Sequence, residues 1–345
     1  MPVPDSPLPD WHRAHGKPLS PGIIKQEFSD FEVTEELGFE LSDDGEHDFL
    51  WLEKSGANTQ WVARQLARHA GVAPKDVGYA GLKDRHAVTR QWFSVRRPSG
   101  AGTDWKSIDI PGVSILDIGR NRRKLKRGSH AGNEFRIVVR GTDCSEAQID
   151  ERLSRISEQG APNYFGPQRF GRNGANLTLA RALFAGKRLS RDSRSIALSA
   201  ARSFLFNEIL SSRVADGTWN RPLTGDAFNL DRSNSYFVSE EIDRELEGRV
   251  AELDIHPTGP LWGKGDQDCF GETEQLEQRV AKNFAEITAG IEATGVAFSR
   301  RALRIAPRRL RRAGGNGEIV LTFQLGRGAF ATSVLREIIN FTYDY

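Results

Sequence analysis

The sequence predicts an α+β protein in which a strand-rich domain is interrupted by a helix-rich insertion. Three observations carry this expectation. Two-residue alternation appears toward both ends: Phe135, Ile137 and Val139 alternate with Arg136 and Arg140, and Ile319, Leu321, Phe323 and Leu325 alternate within 318–325. Helical periodicity dominates between them, over 196–213 and 274–293. The change of character falls at 161–176 (APNYFGPQRFGRNGAN), where Gly, Asn, Pro, aromatics and Arg crowd one irregular segment. The expected divisions are 1–160 for the first part of the strand-rich domain, 161–303 for the insertion, and 304–345 for a final strand and helix.

In chain order, a Pro-rich lead of about 17 residues precedes a first ordered segment from Gly22 to Val33. Residues 47–53 (HDFLWLE) are apolar and aromatic enough for a strand. Asn58 and Thr59 offer N-cap side chains to a helix over 60–70, with Val62, Ala63, Leu66, Ala67 and Ala70 on one face and Gly71 as its C-cap. A short strand at 77–80 runs into the turn Gly81-Leu82-Lys83-Asp84, and 88–97 reads as extended, with Trp92 and Phe93 on opposite faces. Strand 133–140 follows, then a helix over 146–158 opened by a capping box of Ser145 and Gln148. After strand 318–325, Gly326-Arg327-Gly328 turns into an expected helix carrying Val334, Ile338 and Phe341.

Composition excludes several classes. The chain of 345 residues is 38% hydrophobic with 34 glycines, enough to bury a core. No run approaches the length of a membrane span, and the start lacks an apolar run behind a basic head, so a soluble cytoplasmic protein is expected. Cys144 and Cys269 cannot form a disulfide framework or a four-cysteine zinc site. The net charge of +2 conceals strong patterning: 37 Arg against 11 Lys, and an acidic run at 239–254 with seven acids and two arginines. Two basic clusters stand out: Arg120, Arg122, Arg123, Lys124, Lys126 and Arg127, then Arg300, Arg301, Arg304, Arg308, Arg309, Arg311 and Arg312. Such clusters suit a surface that tracks phosphates, with a solvated face as the alternative.

Familiar motifs are absent. Gly326-x-Gly328 at a strand–helix corner superficially matches a dinucleotide fingerprint, but no second strand and ribose-binding acid follow it. There is no phosphate loop, no histidine or cysteine spacing for a metal, and no Gly-x-Ser-x-Gly elbow. What remains is the segment from Tyr79 to Trp92, which sets Asp84 in a turn flanked by Lys83, Arg85 and His86. Positive charge beside a carboxylate favours its ionised form, in which it can act as a nucleophile or stabilise a cationic sugar. Plain turn chemistry is the alternative for Asp84.

The run Gly81-Leu-Lys-Asp84-Arg-His-Ala-Val-Thr89 resembles the signature of the TruD family of tRNA pseudouridine synthases, with Leu82 where the family pattern has a polar Gln. Other segments match in the expected order: Asp30-Phe31-Glu-Val with Glu35, Gly132-Asn133-Glu-Phe135, the stretch 162–171, 198–203, Gly225-Asp226, 258–263, and Phe330 to Glu337. The resemblance extends from about Gly16 to Tyr345. It implies a pseudouridine-synthase-like catalytic domain with a mixed or antiparallel sheet, interrupted by a helix-rich α/β insertion (TRUD) domain.

The resemblance implies isomerisation of uridine to pseudouridine at position 13 of tRNA, with no cofactor and no metal. It makes Asp84 the essential carboxylate, Lys25 its partner, and Phe31, Asn133, Phe135 and Phe330 the residues around the target base. For Phe31, Phe135 and Phe330, core packing is the alternative role. Arg120, Arg122, Arg123, Lys124, Arg308 and Arg309 are the expected RNA contacts, bordering a cleft between catalytic and insertion domains. The expected partner is tRNA, met by a monomer with no membrane and no nucleotide cofactor. Two other readings stand beside this one: a non-catalytic tRNA-binding or folding protein, and an unrelated RNA-modifying transferase.

Overall fold

In a computed structural model, residues 8–97, 102–233, 235–315 and 317–343 are described; the first seven residues of the Pro-rich lead and Tyr345 lie outside them. The chain divides into two units by its internal contacts. A sheet unit takes residues 19–150, 308–328 and 339–343; a helical unit takes 8–18, 151–307 and 329–338. The helical unit thus recruits two short segments from beyond the central insertion, at 8–18 and 329–338.

The first part of the sheet unit contains β1 (Pro21–Ile24), β2 (Phe31–Glu36), β3 (His47–Ser55), α1 (Thr59–His69), β4 (Val77–Tyr79), β5 (Val88–Arg96), β6 (Val113–Asn121), β7 (Gly132–Arg140) and the start of α2 (Glu146–Gln159). In α1 the Asn58 side chain accepts from the Gln60 amide, and Gly71 beyond the helix has φ +65°, where glycine is favoured. The Ser145–Gln148 capping box is present as expected, each side chain meeting the other residue's amide at 3.3 and 3.0 Å.

The insertion opens with β8 (Ala161–Pro162) and continues through α3 (Ala175–Phe184), α4 (Arg191–Ala215), β9 (Ala227–Leu230), β10 (Tyr236–Val238), α5 (Arg244–Ala251), β11 (Ile255–Leu261), α6 (Gly271–Asn283), α7 (Ala285–Ala293), β12 (Ser299–Ala302) and β13 (Arg304–Ile305). α4 is its axis: Ala197, Ala200, Ala201, Phe204, Leu205, Phe206, Ile209 and Leu210 are all buried in one cluster with Leu276, Val280, Ile287 and Ile291. The single helix expected over 274–293 is two helices. The chain turns at Phe284 (φ −122°, ψ 40°), whose ring meets Phe204 edge-on at 5.3 Å. The break lets the apolar faces of both α6 and α7 reach the same core.

The Pro-rich lead also differs from expectation. From residue 8 it is part of the helical unit: Trp11 packs on Tyr164, Phe170 and Phe204, and its indole donates to Glu208 at 2.8 Å. Prolines erased the periodicity that would have announced this. Arg300 and Arg304, expected at an RNA-facing border, are buried inside the helical unit. Arg300 is ion-paired with Glu277, and Arg304 donates to the Val250 and Ile255 carbonyls. A run of arginines reveals charge but not environment.

The chain then returns to the sheet unit through β14 (Arg308–Gly315) and β15 (Glu318–Gly326), leaves it for α8 (Ala331–Leu335), and ends with β16 (Asn340–Tyr343). The expected closing helix is shorter than its pattern, because Phe341 lies in β16, which pairs in parallel with β1. Phe, Thr and Tyr favour a strand once an edge is available. The main sheet runs β14-β15-β7-β2-β5-β3-β6, with β1 also beside β7 and β4 beside β5. Among the described residues of this sheet only β2–β5 and β1–β16 are parallel, so the sheet is mixed.

Buried ion pairs in the helical unit are costly to break singly. Asp226 accepts from both guanidinium arms of Arg213 at 2.9 and 3.0 Å, from the Leu223 amide and from Thr273 Oγ1. Removing one partner of such a pair leaves an uncompensated charge, so Asp226→Ala lowers unfolding free energy by about 3–5 kcal/mol. Urea unfolding followed by fluorescence checks this; a loss below about 1 kcal/mol contradicts it.

Candidate active site

Register places a set of polar groups on one face of the sheet. Lys54 of β3 lies opposite Thr89 of β5, Thr89 opposite Val33 of β2, and Val33 opposite Phe135 of β7. One step along, Glu35 faces Asn133, while Phe135 faces Phe323 of β15. Because side chains alternate along strands, Lys54, Glu35, Gln91, Asn133 and Phe135 share a single side. The other side carries an ion ladder of Glu53, Arg90, Glu32 and Arg136.

The turn after β4 lies over the polar face and is tied down residue by residue. The Gly81 carbonyl accepts from Gln91 Nε2 at 3.2 Å, and the Lys83 amide donates to Thr59 Oγ1 at 3.0 Å. Lys83 Nζ donates to Glu35 Oε2 at 2.6 Å, and Glu35 Oε1 accepts the Trp92 amide at 3.2 Å. The Glu35 side chain is fully buried. Burial pushes its carboxyl above the usual carboxylate range, against the pull of the Lys83 ammonium.

Asp84 itself remains a quarter exposed and is ion-paired with Lys25. Its second oxygen accepts the His86 amide at 3.3 Å. Lys25 follows β1 in the left-handed region at φ +62°, a strained setting for a lysine. That conformation sends its ammonium over the Phe31 ring, 4.3 Å from the centroid, and 5.5 Å from the Tyr343 ring of β16. Phe31 meets Phe135 edge-on at 6.2 Å, and Phe135 stacks on Phe323 at 5.5 Å. A carboxylate, an ammonium and a row of phenyl rings therefore adjoin one another.

Asn133 lies on the same face, two residues before Phe135. Its Oδ1 is buried and has no hydrogen-bond partner among the described residues. Close approach of β7 and β15 explains the glycine before it: a Cβ on Gly132 would run into the Leu325 carbonyl. His130, beside the turn, is buried, and burial followed by the Lys83 and Arg327 charges pulls it down to about 4, so it is neutral at pH 7.

Asp84, Lys25, Phe31, Asn133 and Phe135 thus fall in the sheet unit, and the first three and Phe135 form a connected chain of contacts. Phe330 belongs to the helical unit, where its ring lies 5.9 Å from that of Phe165. Arg120, Arg122 and Arg123 are exposed: Arg120 donates to the Gly45 carbonyl at 2.6 Å, and Arg122 holds Asp44 with both Nε and Nη2. Lys124 donates to the Lys75 carbonyl. Arg308 and Arg309 are exposed on the edge strand β14, whereas Arg312 is engaged by Glu146 and Asp150. Sequence reasoning missed Lys54, Thr59 and Gln91. The available signal was slight: Lys54 continues the two-residue spacing of the apolar Leu50 and Leu52.

No helix among the described residues is long and apolar enough to cross a membrane, and none of their His, Cys, Asp and Glu groups could hold a metal ion. A family model described as tRNA pseudouridine synthase D (TruD) matches residues 14–188 and 181–338. A tRNA pseudouridine synthase D from Methylococcus capsulatus is 47% identical over 342 residues, 98% of this chain and 97% of the relative. One from Hydrogenovibrio crunogenus is 42% identical over 343 residues, 99% of each chain. A crystal structure of a Methanosarcina mazei protein, described as a putative tRNA pseudouridine synthase D, shares the fold with a TM-score of 0.68 at 21% identity, covering 98% of this chain and 96% of that one. These matches define the class as the tRNA pseudouridine synthases. Within it, the chain belongs to the TruD family.

The Glu35–Lys83 pair gives a stability test. Glu35→Ala strands a buried ammonium and costs about 3–5 kcal/mol, whereas Glu35→Leu combined with Lys83→Met recovers most of that loss. Denaturant unfolding of the wild type and the two variants measures both; equal losses in both variants would contradict the assignment.

Proposed function

We propose that this chain converts uridine to pseudouridine in tRNA, at position 13, with Asp84 as the essential carboxylate and Lys25 as its charge partner. The observation that supports the reading most is the Lys25–Asp84 ion pair beside the Phe31 and Phe135 rings. It occurs in a chain whose curated relatives are named tRNA pseudouridine synthase D. The N1–C1′ bond breaks, the uracil turns, and C5 bonds to C1′; C5 gives up its proton and N1 gains one. Substrate and product are isomers, so no oxidant or reductant enters the balance.

Asp84 acts in its ionised form on either route, by adding to C1′ or by removing the 2′ proton. A ring stacked on an extruded base contributes about 1–3 kcal/mol, offsetting part of the cost of unstacking it. Phe31, Phe135 and Phe330 are the rings given that role in this reading. Arg120, Arg122, Arg123, Lys124, Arg308 and Arg309 meet phosphates, for which Arg122 exchanges its contact with Asp44. The enzyme acts as a monomer in the cytoplasm.

Tritium release from tRNA labelled at uridine C5 tests the reading. Wild type releases tritium from tRNA carrying U13 and not from a U13→C transcript, while Asp84→Asn binds tRNA and releases none. Release by Asp84→Asn removes that carboxylate from its role. Binding without release by either protein makes the chain a tRNA-binding protein instead.

The unpartnered Asn133 Oδ1 is assigned to the uracil N3–H. A buried hydrogen bond of this kind is worth about 1–3 kcal/mol, so Asn133→Leu lowers kcat/KM by roughly 5–150-fold. The same change removes an unsatisfied buried acceptor, so thermal stability holds or rises. Reduced stability with unchanged kcat/KM would reverse the assignment.

A further inference from the structure

Lys54 is a buried cation that the lysine–carboxylate pair does not include. It leaves β3 toward the polar face with 1% of its surface exposed. Its Nζ donates to two backbone carbonyls at 2.9 Å: that of Ala57, just before α1, and that of Asp84 itself. An ammonium withdrawn from water is costly, and bonds to two neutral carbonyls, with no carboxylate among the described residues in ion-pair contact, offset only part of that cost. The position therefore gains something other than stability from its charge.

The surroundings identify that gain. The strand neighbours directly opposite Lys54 are Thr89 on β5 and Val113 on β6, both uncharged. From the turn, the Asp84 carboxylate attracts the ammonium and Lys83 repels it. Arg85 turns away to the Gly56 carbonyl. At the start of α1, Thr59 is neutral and engages Gln91 and the Lys83 amide. Lys25 holds the Asp84 carboxylate while Lys54 holds the peptide from which that carboxylate projects.

We infer that Lys54 is a positioning residue for the reaction: its ammonium clamps the Asp84 peptide to the entry of α1 and so fixes where the Asp84 carboxylate stands. The inference rests on Asp84 acting as the reacting carboxylate. Two clamps act at different points of one residue, and the loss of either lets the carboxylate swing. Burial also pulls Lys54 down to about 8, with the Asp84 charge opposing and the Lys83 charge assisting. The sign follows: below that value the two bonds are charge-assisted, and as pH rises through it they weaken to those of a neutral amine, so the clamp loosens and turnover falls on the alkaline side.

The test uses the full-length chain with Lys54→Met, close to isosteric, and Lys54→Arg, which retains the charge. A misplaced catalytic group typically costs about 100-fold, so Lys54→Met is expected to lose roughly that factor in kcat with tRNA affinity within about twofold of wild type. Lys54→Arg recovers part of the loss. Wild-type kcat declines with a midpoint near pH 8, and Lys54→Met lacks that decline. Amide exchange of residues 82–86 is read in parallel and quickens about tenfold in Lys54→Met relative to the strand amides.

A Lys54→Met enzyme within about threefold of wild-type kcat overturns the inference. So does the same alkaline decline in both proteins. If Lys54→Met does not fold, the wild-type profile decides, and constant kcat up to about pH 9 overturns it. Should wild type release no tritium, the isomerase reading fails on its own, and unchanged amide exchange then rejects the clamp independently of activity.

Discussion

Charge placed beneath a β-sheet must meet a partner or be lost as a charge, and the polar face of this sheet carries Lys54, Glu35 and, from the turn above it, Lys83. Each has one geometry that satisfies it. Lys83 reaches Glu35, Glu35 also takes the Trp92 amide, and Lys54 divides its donors between two carbonyls. Together they determine the path of residues 81–84. The Asp84 backbone is therefore set by desolvated electrostatics below it, while its side chain stays a quarter exposed. Rigid underside and accessible top are what a preorganised site requires.

The parts of this arrangement differed in how visibly they were written in the chain. The turn was legible because Gly81, Lys83 and Asp84 are adjacent, and β7 because apolar and charged residues alternate along it. The Lys25–Asp84 pair joins positions 59 apart, and the Lys54 contact joins positions 30 apart. Neither has a local signature, and Lys25 entered the site only through resemblance. Lys54 was silent because a charged residue in a strand ordinarily marks the solvent side. Its neighbours in β3 are the ones that belie that rule: Leu52 and Leu50 share its face and are fully buried.

The arginine clusters carry a similar lesson about environment. Arg300 and Arg304 lie within a few residues of Arg308 and Arg309, yet the former pair serves the interior of the helical unit and the latter an exposed edge. The boundary between the units, at 307/308, divides the run. Helix α4 shows the opposite case. Its long small-and-aromatic pattern was legible, and it forms the axis on which α6 and α7 pack. The break at Phe284 was hidden, since both halves continue the same periodicity and only packing against Phe204 reveals the turn.

The parallel pairing of β1 with β16 has a consequence for how the molecule is made. Lys25 follows β1 directly, and the register runs from Pro21 with Asn340 to Ile24 with Tyr343. The Tyr343 ring also stands over the Lys25 ammonium. A nascent chain emerging from the ribosome can complete the turn that holds Asp84 early, since β3, α1, β4 and β5 are contiguous in sequence. The lysine facing that carboxylate gains its last strand neighbour only when residues 340–343 have been synthesised. The surroundings of the charge pair are thereby finished only after β16 has been made, about 250 residues later than the turn that carries the carboxylate.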